Sequence, residues 1–406
     1  MRVVIVNHLH PRSPQVGGVR LPRFADALAA RGHRIVLLTG LDEVTGQPPD
    51  PVRIVESMAR HDWAMPFHLP CAPRPSPILT FARERHALRP LRQAVLAWHY
   101  LFHGGVFTDW RLGTEPYWAV LAQSFRPDVT WATFGNTDAW AIARGIARRA
   151  GCPWVMDLKD VWDAFVPRPV ASLVLSRFRD AAACTGLSRA HLNDPAKHLG
   201  LVGSVIYSGI PLHLLRPTNP EMPFRITVTG SSYGWLDAMV GGVDIFLDQL
   251  PEAERTAIVF TYAGGEHEAA AQAARKLAGR CRIDVRPYIP LDELAGLQRQ
   301  AFLNLYGRAT GHPDFFHHKL VELLCADRPI ACYPGETPEA MEVAARVRGQ
   351  LRPCADQGSL ARVLMDAWQS RRPEGIGSDR GALAGYTWEA QAERLEAVFE
   401  RVRTCP

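Results

Sequence analysis

The sequence predicts an α/β protein built from two doubly wound, parallel-sheet units. Three observations predict it. The strands read as continuous apolar runs, the form taken by strands covered on both faces. Glycine-containing loops lead from several of these strands into helices with apolar residues at helical spacing. A proline-rich stretch near the middle of the chain separates two such series.

The first unit opens with the strand RVVIVN, the Pro/Gly loop HLHPRSPQVGG and the helix VRLPRFADALAARGH, whose Leu21, Phe24, Ala25 and Leu28 share a face. Gly32 ends that helix and RIVLLTG is the next strand. Residues 41–115 are less regular, rich in Pro, Arg, His and aromatics, with one amphipathic helix expected over Leu88–Phe102. Regularity returns with the strand PDVTWAT, the helix TDAWAIARGIARRAG, the strand CPWVMDL, a helix over ASLVLSRFRDAAAC and the strand GSVIYSG. IPLHLLRPTNPEMP, with prolines at 211, 217, 220 and 223, reads as a linker.

The second series has strands FRITVTG, AIVFTYAGG, RIDVRPYI, AFLNLYG and RPIACYPG. Helices are expected near Asp237–Leu250, Glu266–Ala278, Leu291–Gln300 and Phe315–Ala326, and TWEAQAERLEAVFERV closes the chain as an amphipathic helix. The expected domains are 1–213, 214–385 and a C-terminal helix, 386–406, that returns towards the first.

The chain has 406 residues, 47% hydrophobic and 21% charged, and a net charge of +5, with a mean hydropathy of −0.09. That is ordinary globular composition, enough for two domains. Charge is uneven: residues 1–216 carry 25 Lys and Arg against 16 Asp and Glu, and the remainder carry 21 against 25. A basic first half fits an anionic partner or a solvated basic face. Only four of the cations are lysines, so each is a specific choice. Eight cysteines without a CxxC pair read as reduced thiols. The short apolar start does not read as a signal peptide, and no stretch reads as long enough to span a membrane. A cytoplasmic location is expected.

Ligands of open parallel sheets bind beyond the carboxyl ends of the strands, so the strand-to-helix loops carry the candidates. Gly17 and Gly18 follow the first strand and could let backbone amides approach an anion, or could serve only the tight connection. Gly230, Ser231 and Ser232 occupy the matching loop of the second unit. In NLYGRATGHPDFFHHKLVELL, Asp314 stands at the expected N-cap, and Lys319 and Glu322 lie three apart on one helix face. A lysine there can neutralise a phosphate and a carboxylate can take two hydroxyls of a ribose diol. The alternative is an i,i+3 surface salt bridge worth a few tenths of a kcal/mol. His8 and His10 lie in the first loop and Asp160 beyond a strand end. Asp109 and Trp110 are expected to line an acceptor site, touch a membrane or lie on an ordinary exposed surface. His99 and His103, at i,i+4, read as amphipathic-helix content rather than metal ligands, for want of an adjacent acid.

HHKLVELLCADRP resembles the donor-binding helix of family 4 retaining GT-B glycosyltransferases, in one branch Ser-Lys-Leu-x-Glu followed by Pro and a buried strand. Lys319, Leu320, Glu322 and Pro329 match, and His318 replaces the serine. The wider family has Glu-x7-Glu, and Asp314 and Glu322 fall at that spacing. GGVRLPRFADALAARGHRIVLLTG, PDVTWATFGNTDAWAIARGIARRAGCPWVMDLKDVWD (Lys159 in place of Arg), VIYSGIPLHLLRP and YTWEAQAERLEAVFERV resemble further family segments in the same order. The resemblance covers the chain except about 45–105.

It implies a GT-B fold: two Rossmann-like domains facing a cleft, an acceptor side and a donor side, with the C-terminal helix crossing back. It implies retaining transfer of a sugar from a nucleoside-diphosphate sugar to an acceptor hydroxyl on a surface glycan, a lipid-linked sugar or a small molecule. No metal or other cofactor and no nucleic acid is called for, and peripheral contact with an anionic membrane at the inner face of the cell membrane is compatible with it. By the same resemblance Glu322 binds the ribose, Asp314 the sugar hydroxyls, Gly17 and Gly18 the sugar phosphate or acceptor, and Tyr288 and Ile289 the base. The family's Arg and Lys after the first donor-side strand are absent from TGSSYGWLDA, so charge is expected from Lys319, Arg308 or helix N-termini. Catalytic roles fall to Asp314, Lys319 and Gly18. His8, His10, Asp109, Trp110 and Asp160 are the acceptor-side candidates. A sugar-nucleotide epimerase, a pseudo-glycosyltransferase with a non-sugar acceptor and a silent nucleotide-binding protein remain open. A dinucleotide oxidoreductase lacks its G-x-G-x-x-G.

Overall fold

A computed structural model describes residues 1–13, 16–42, 48–83, 88–160, 162, 166, 168–215, 220–309, 316–371 and 374–404. The chain divides into two compact units: Met1–Gly209 with Trp388–Pro406, and Ile210–Thr387.

The first unit is a seven-stranded parallel sheet. Its strands are β1 (Arg2–Asn7), β2 (Arg34–Gly40), β3 (Phe67–Cys71), β4 (Val129–Phe134), β5 (Trp154–Leu158), β6 (Ala183–Gly186) and β7 (Gly203–Val205), in the order β3-β2-β1-β4-β5-β6-β7. The topology switches direction between β1 and β4, whose pairing runs Val3↔Val129 to Val6↔Ala132. Alternate residues of β1 enter two separate cores. Val4 and Val6 pack with Trp110, Trp140 and Phe178. Val3 and Ile5 pack with Phe24 and Leu28 of the helix Val16–Ala30 and with Leu395 and Phe399 of the helix Trp388–Thr404. A strand buried on both sides needs apolar residues at every position, which is why RVVIVN does not alternate. The final helix is fastened at its polar margin, where Glu396 takes Arg31 Nε at 2.7 Å and His33 Nε2 at 2.8 Å. At its N-terminal end Gly209 lies so close to the Trp388 backbone that a Cβ would collide with it.

The second unit holds β8 (Phe224–Thr229), β9 (Ile258–Ala263), β10 (Arg282–Arg286), β11 (Leu303–Gly307), β12 (Ile330–Tyr333) and β13 (Leu351–Pro353), all parallel, in the order β10-β9-β8-β11-β12-β13. Its switch point falls between β8 and β11. Phe224, Ile226, Val228, Leu303 and Leu305 pack with Val240 and Phe246 of the helix Leu236–Asp248. Each fully buried Leu, Val or Phe contributes about 1.5–3 kcal/mol over leaving it in water.

Five segments differ from the sequence expectation. ASLVLSRFRDAAAC is not one helix: it runs Arg168–Ser176 and gives way to β6, whose four residues ACTG are all buried. β3 and β13 are strands that sequence reading left unassigned, the first carrying a proline and the second three residues long. The helix expected over Phe315–Ala326 spans Lys319–Cys325, with His318 at its N-cap; the expected cap Asp314 lies outside the described residues. The helix expected over Leu88–Phe102 runs Arg89–Trp98 and widens into a π-turn over His99–His103.

Candidate functional site

The carboxyl edge of the second sheet gathers four loops. The helix Lys319–Cys325 turns Leu320, Val321, Leu323 and Leu324 into the core, which leaves Lys319 and Glu322 on its remaining face. They are not paired with each other. The Lys319 ammonium donates to Ser231 O at 2.6 Å and lies 5.4 Å from the centre of the Tyr233 ring. Glu322 Oε1 lies 3.2 Å from His318 Nε2.

The loop after β8 is shaped for this lysine. Gly230 has φ +66°, and a Cβ there would stand 3.0 Å from Lys319 Cε and Nζ. Ser231 Oγ donates to Glu266 Oε1 at 2.6 Å, while Ser232 N and Oγ donate to Glu266 Oε2 at 3.1 and 2.5 Å. Glu266 follows β9, and its own amide donates to the Tyr262 hydroxyl at 3.0 Å. That hydroxyl donates to Gly230 O at 2.9 Å, which closes the circuit. Burial pushes the Glu266 carboxyl up, but the hydrogen bonds from Ser231 and Ser232 outweigh it and hold it below its usual range. Desolvation pulls Lys319 down to about 8, against the upward pull of Glu322 and Glu266. An anion beside this ammonium would favour its charged form and raise it again.

The ends of β11 and β12 add a second group. Arg308 N donates to Tyr333 O at 2.9 Å, and Trp235 Nε1 donates to Arg308 O at 2.7 Å. Among the described residues, Arg308 Nε, the Tyr306 hydroxyl and Glu336 Oε2 are buried without a hydrogen-bond partner. Burial raises Glu336 to about 7. His317 Nδ1 lies 3.0 Å from the Tyr233 hydroxyl, and desolvation lowers His317 to about 4, so it is neutral. Tyr288 and Ile289 stand apart, after the edge strand β10, and Tyr288 is exposed. A hollow lined by Phe302, Pro329, Gln350 and Asp366 lies where β11, β12 and β13 begin, at the opposite edge from these loops.

The first unit has its own cluster at the end of β1. Asn7 Nδ2 donates to Gly17 O at 2.8 Å and ties the loop to the strand. Gly17 is glycine because the Lys159 ammonium occupies the space a Cβ would need, and Gly18 because the Ser13 carbonyl lies 2.6 Å from that position. Lys159 follows β5 and pairs with Asp160 at 3.6 Å; burial raises the Asp160 carboxyl, and Lys159 opposes the rise. The His8 ring packs on Phe107 at 4.2 Å and Trp110 at 4.9 Å, and desolvation lowers it to about 4. His10 Nδ1 lies 3.2 Å from Asp42 Oδ2. Asp109 and Trp110 are not exposed: both are buried in the first turn of the helix Thr108–Val120, and Asp109 is held by Arg83. They support His8 from below rather than present a surface.

Sequence reading therefore named the lysine, Glu322 and the three residues of the loop after β8, and missed Glu266, Tyr262, Tyr306 and Glu336. The run AGGEHE, an acid directly after two glycines at a strand end, was the available signal for Glu266.

No protein-family profile matches the sequence, and no curated protein does. Solved structures do match in fold. Anabaena HepE in complex with UDP superposes with a TM-score of 0.63 at 14% identity, covering 99% of this chain and 100% of that one. The same protein with UDP-glucose gives 0.60 at 14%, with the same coverage. Sucrose-phosphate synthase from Thermosynechococcus elongatus gives 0.65 at 14%, covering 100% and 99%. The fold is that of GT-B glycosyltransferases.

Proposed function

We propose that this protein is a glycosyltransferase of the hexosyltransferase type that moves a sugar from a nucleoside-diphosphate sugar to an acceptor hydroxyl with retention of anomeric configuration. The observation that carries this reading is the Lys319 ammonium, desolvated against the Gly230–Ser232 loop at the carboxyl edge of the switch-point strand. A diphosphate is the anion this site suits: it would meet one buried cation, fixed in place before charge develops on the leaving group. Glu322, on the same helix face, is proposed for the ribose, and Arg308, directly after β11, is proposed to share the phosphate charge. Asp314 is proposed to hold the hydroxyls of the transferred sugar. Lys319 supplies the positive charge, so a divalent ion is not required by this reading.

HepE, which shares the fold, was solved with UDP and with UDP-glucose, so a UDP-sugar is the first donor to try. The first unit is proposed to carry the acceptor, a surface glycan, a lipid-linked sugar or a small molecule, near His8, His10 and the Gly17–Lys159 contact. The protein would act in the cytoplasm.

Thermal shift with UDP, GDP, dTDP, CMP, their sugars and NAD tests the reading on the wild type and on Glu322→Gln. One nucleoside diphosphate is expected to stabilise the wild type, with most of the effect lost in the variant. Stabilisation by NAD alone, or by no nucleotide, would overturn the transferase reading.

A further inference from the structure

The helix Arg89–Trp98 buries none of its residues, and the π-turn His99–His103 that continues it buries only Tyr100. Its apolar side chains are nonetheless ordered in space. Leu88, Leu91, Val95, Trp98 and Phe102 follow one another at steps of three and four, which puts them on one face. Four of them are open to solvent: Leu88 is 72% exposed, Leu91 51%, Trp98 55% and Phe102 62%. The wider π-turn does not break the stripe, because the Trp98 and Phe102 rings lie 3.9 Å apart. The helix before it, Pro77–Arg83, turns Leu79 and Ala82 inward and leaves Ile78 and Phe81 outside. Single exposed leucines are ordinary on a protein surface; a continuous stripe of large apolar and aromatic residues marks a surface that is covered in use.

Charge decides what covers it. One position beyond each stripe residue stands Arg89, Arg92, His99 or His103, with Val95 the exception. Residues 72–111 hold six arginines against two acids, and one of those acids, Asp109, is buried and held by Arg83. A second copy docking through the same face would bring two basic flanks together and suffer their repulsion. A bilayer carrying anionic headgroups meets both halves of the pattern: apolar side chains enter at the acyl boundary while arginines stay at phosphate level. The helix and its π-turn are about 22 Å long at 1.5 Å per residue, too short to cross and suited to lie flat.

We propose that the face Leu88–Phe102 docks the protein on an anionic lipid surface, with Leu88, Leu91, Trp98 and Phe102 inserted and Arg74 and Arg89 against the headgroups. Docking of this kind involves none of the residues around Lys319 and is independent of the donor reading, so either can fail alone.

Co-sedimentation of the full chain, without nucleotide, with vesicles of phosphatidylcholine and of phosphatidylcholine mixed with phosphatidylglycerol tests it. The wild type is expected to bind the mixed vesicles and to lose binding as salt rises. Leu91→Ser with Trp98→Ser should weaken partitioning roughly tenfold or more. Arg74→Glu with Arg89→Glu should abolish the preference for phosphatidylglycerol. Because all four side chains are exposed, the unfolding midpoint of each variant should stay at the wild-type value, which separates lost docking from lost fold. No binding of the wild type to mixed vesicles, or equal binding by the serine variant, would overturn the proposal. So would a dimer in light scattering that the serine variant dissolves without any vesicle binding, which would give the face to a second copy.

Discussion

Each unit places a lysine against the glycine loop of its switch-point strand, and the two lysines are held differently. Lys159 reaches the Gly17 loop from the end of β5 and has Asp160 beside it. Lys319 reaches the Gly230 loop from the helix after β11 and is tied to a backbone carbonyl, with the carboxylate of Glu266 already engaged by Ser231 and Ser232. Two of the chain's four lysines reach these loops from different places: Lys159 comes from the end of β5, two strands from β1, and Lys319 from the helix after β11, the strand next to β8. In both sheets the first loop lies at the switch point, the place where ligands of such sheets bind. The difference lies in how much of each cation is left over. Asp160 is adjacent in sequence and partly open, and it neutralises Lys159 locally. Around Lys319 the nearest acids have other partners, so desolvation dominates and brings the ammonium to about 8. A cation poised near neutrality is the more responsive of the two to an arriving anion.

The largest expected effect comes from removing one lysine at a time. Lys319→Met should weaken nucleoside-diphosphate binding by about a hundredfold or more, the scale of a lost charge-assisted hydrogen bond of roughly 3 kcal/mol. Lys159→Met should leave that affinity unchanged and lower turnover with acceptor present. The pH dependence sharpens the contrast: only the protonated Lys319 attracts a phosphate, so wild-type affinity should fall as pH rises through about 8. The Lys319→Met variant should not show that fall. Calorimetry across this range checks both, and equal losses in the two variants would break the comparison.

The second effect belongs to the second unit alone. Glu336 has a folded-state pKa of about 7, raised by burial from 4.5. A folded carboxyl that holds its proton more tightly than the unfolded one favours folding at low pH. The contribution is fully present below about 4.5 and is lost as pH climbs through 7. The loss is on the order of 3 kcal/mol, because each tenfold gain in proton affinity on folding is worth about 1.4 kcal/mol. Glu336→Gln should flatten the fall in denaturant stability between about pH 5 and pH 8. A variant with the wild-type slope would show that Glu336 is not the group responsible.

How far this could be read from the sequence follows from the same geometry. RVVIVN was legible because two-sided burial demands an unbroken apolar run, and FRITVTG because its β-branched Ile, Thr and Val favour a strand and a glycine ends it. ACTG was not, because four small residues after a helical pattern carry no periodicity of their own, and only pairing with β5 and β7 makes them a strand. Lys319 and Glu322 were legible as a pair on one face. Glu266 was not, because its partners Ser231 and Ser232 lie more than thirty residues away and meet it only through sheet order. Trp110 and Asp109 suggested a surface because aromatics and acids in an irregular, arginine-rich segment resemble one. Their burial depends on His8 and Arg83, which the local sequence does not bring together.

The smallest effect separates the reasons for the two glycines. Gly230 has a left-handed φ of +66°, so Gly230→Ala should cost about 1 kcal/mol in strain, wherever the lysine goes. At Gly17 no such backbone requirement exists; the obstacles are side-chain ends, the Lys159 ammonium, which can swing away, and the Leu9 Cδ1 methyl 2.7 Å from where a Cβ would stand. Gly17→Ala should therefore change stability by less than Gly230→Ala, while displacing the Lys159 ammonium from its loop. Lys319→Met combined with Gly230→Ala should recover none of the strain, because it is in the backbone. Lys159→Met combined with Gly17→Ala should recover the part of the clash that the Lys159 ammonium causes and leave the part due to Leu9 Cδ1. A double-mutant cycle in denaturant reads these couplings directly. Near-zero coupling at Gly230 and clear coupling at Gly17 is the expected pattern. The reverse pattern would mean that the lysine, rather than the turn, fixes the residue after β8.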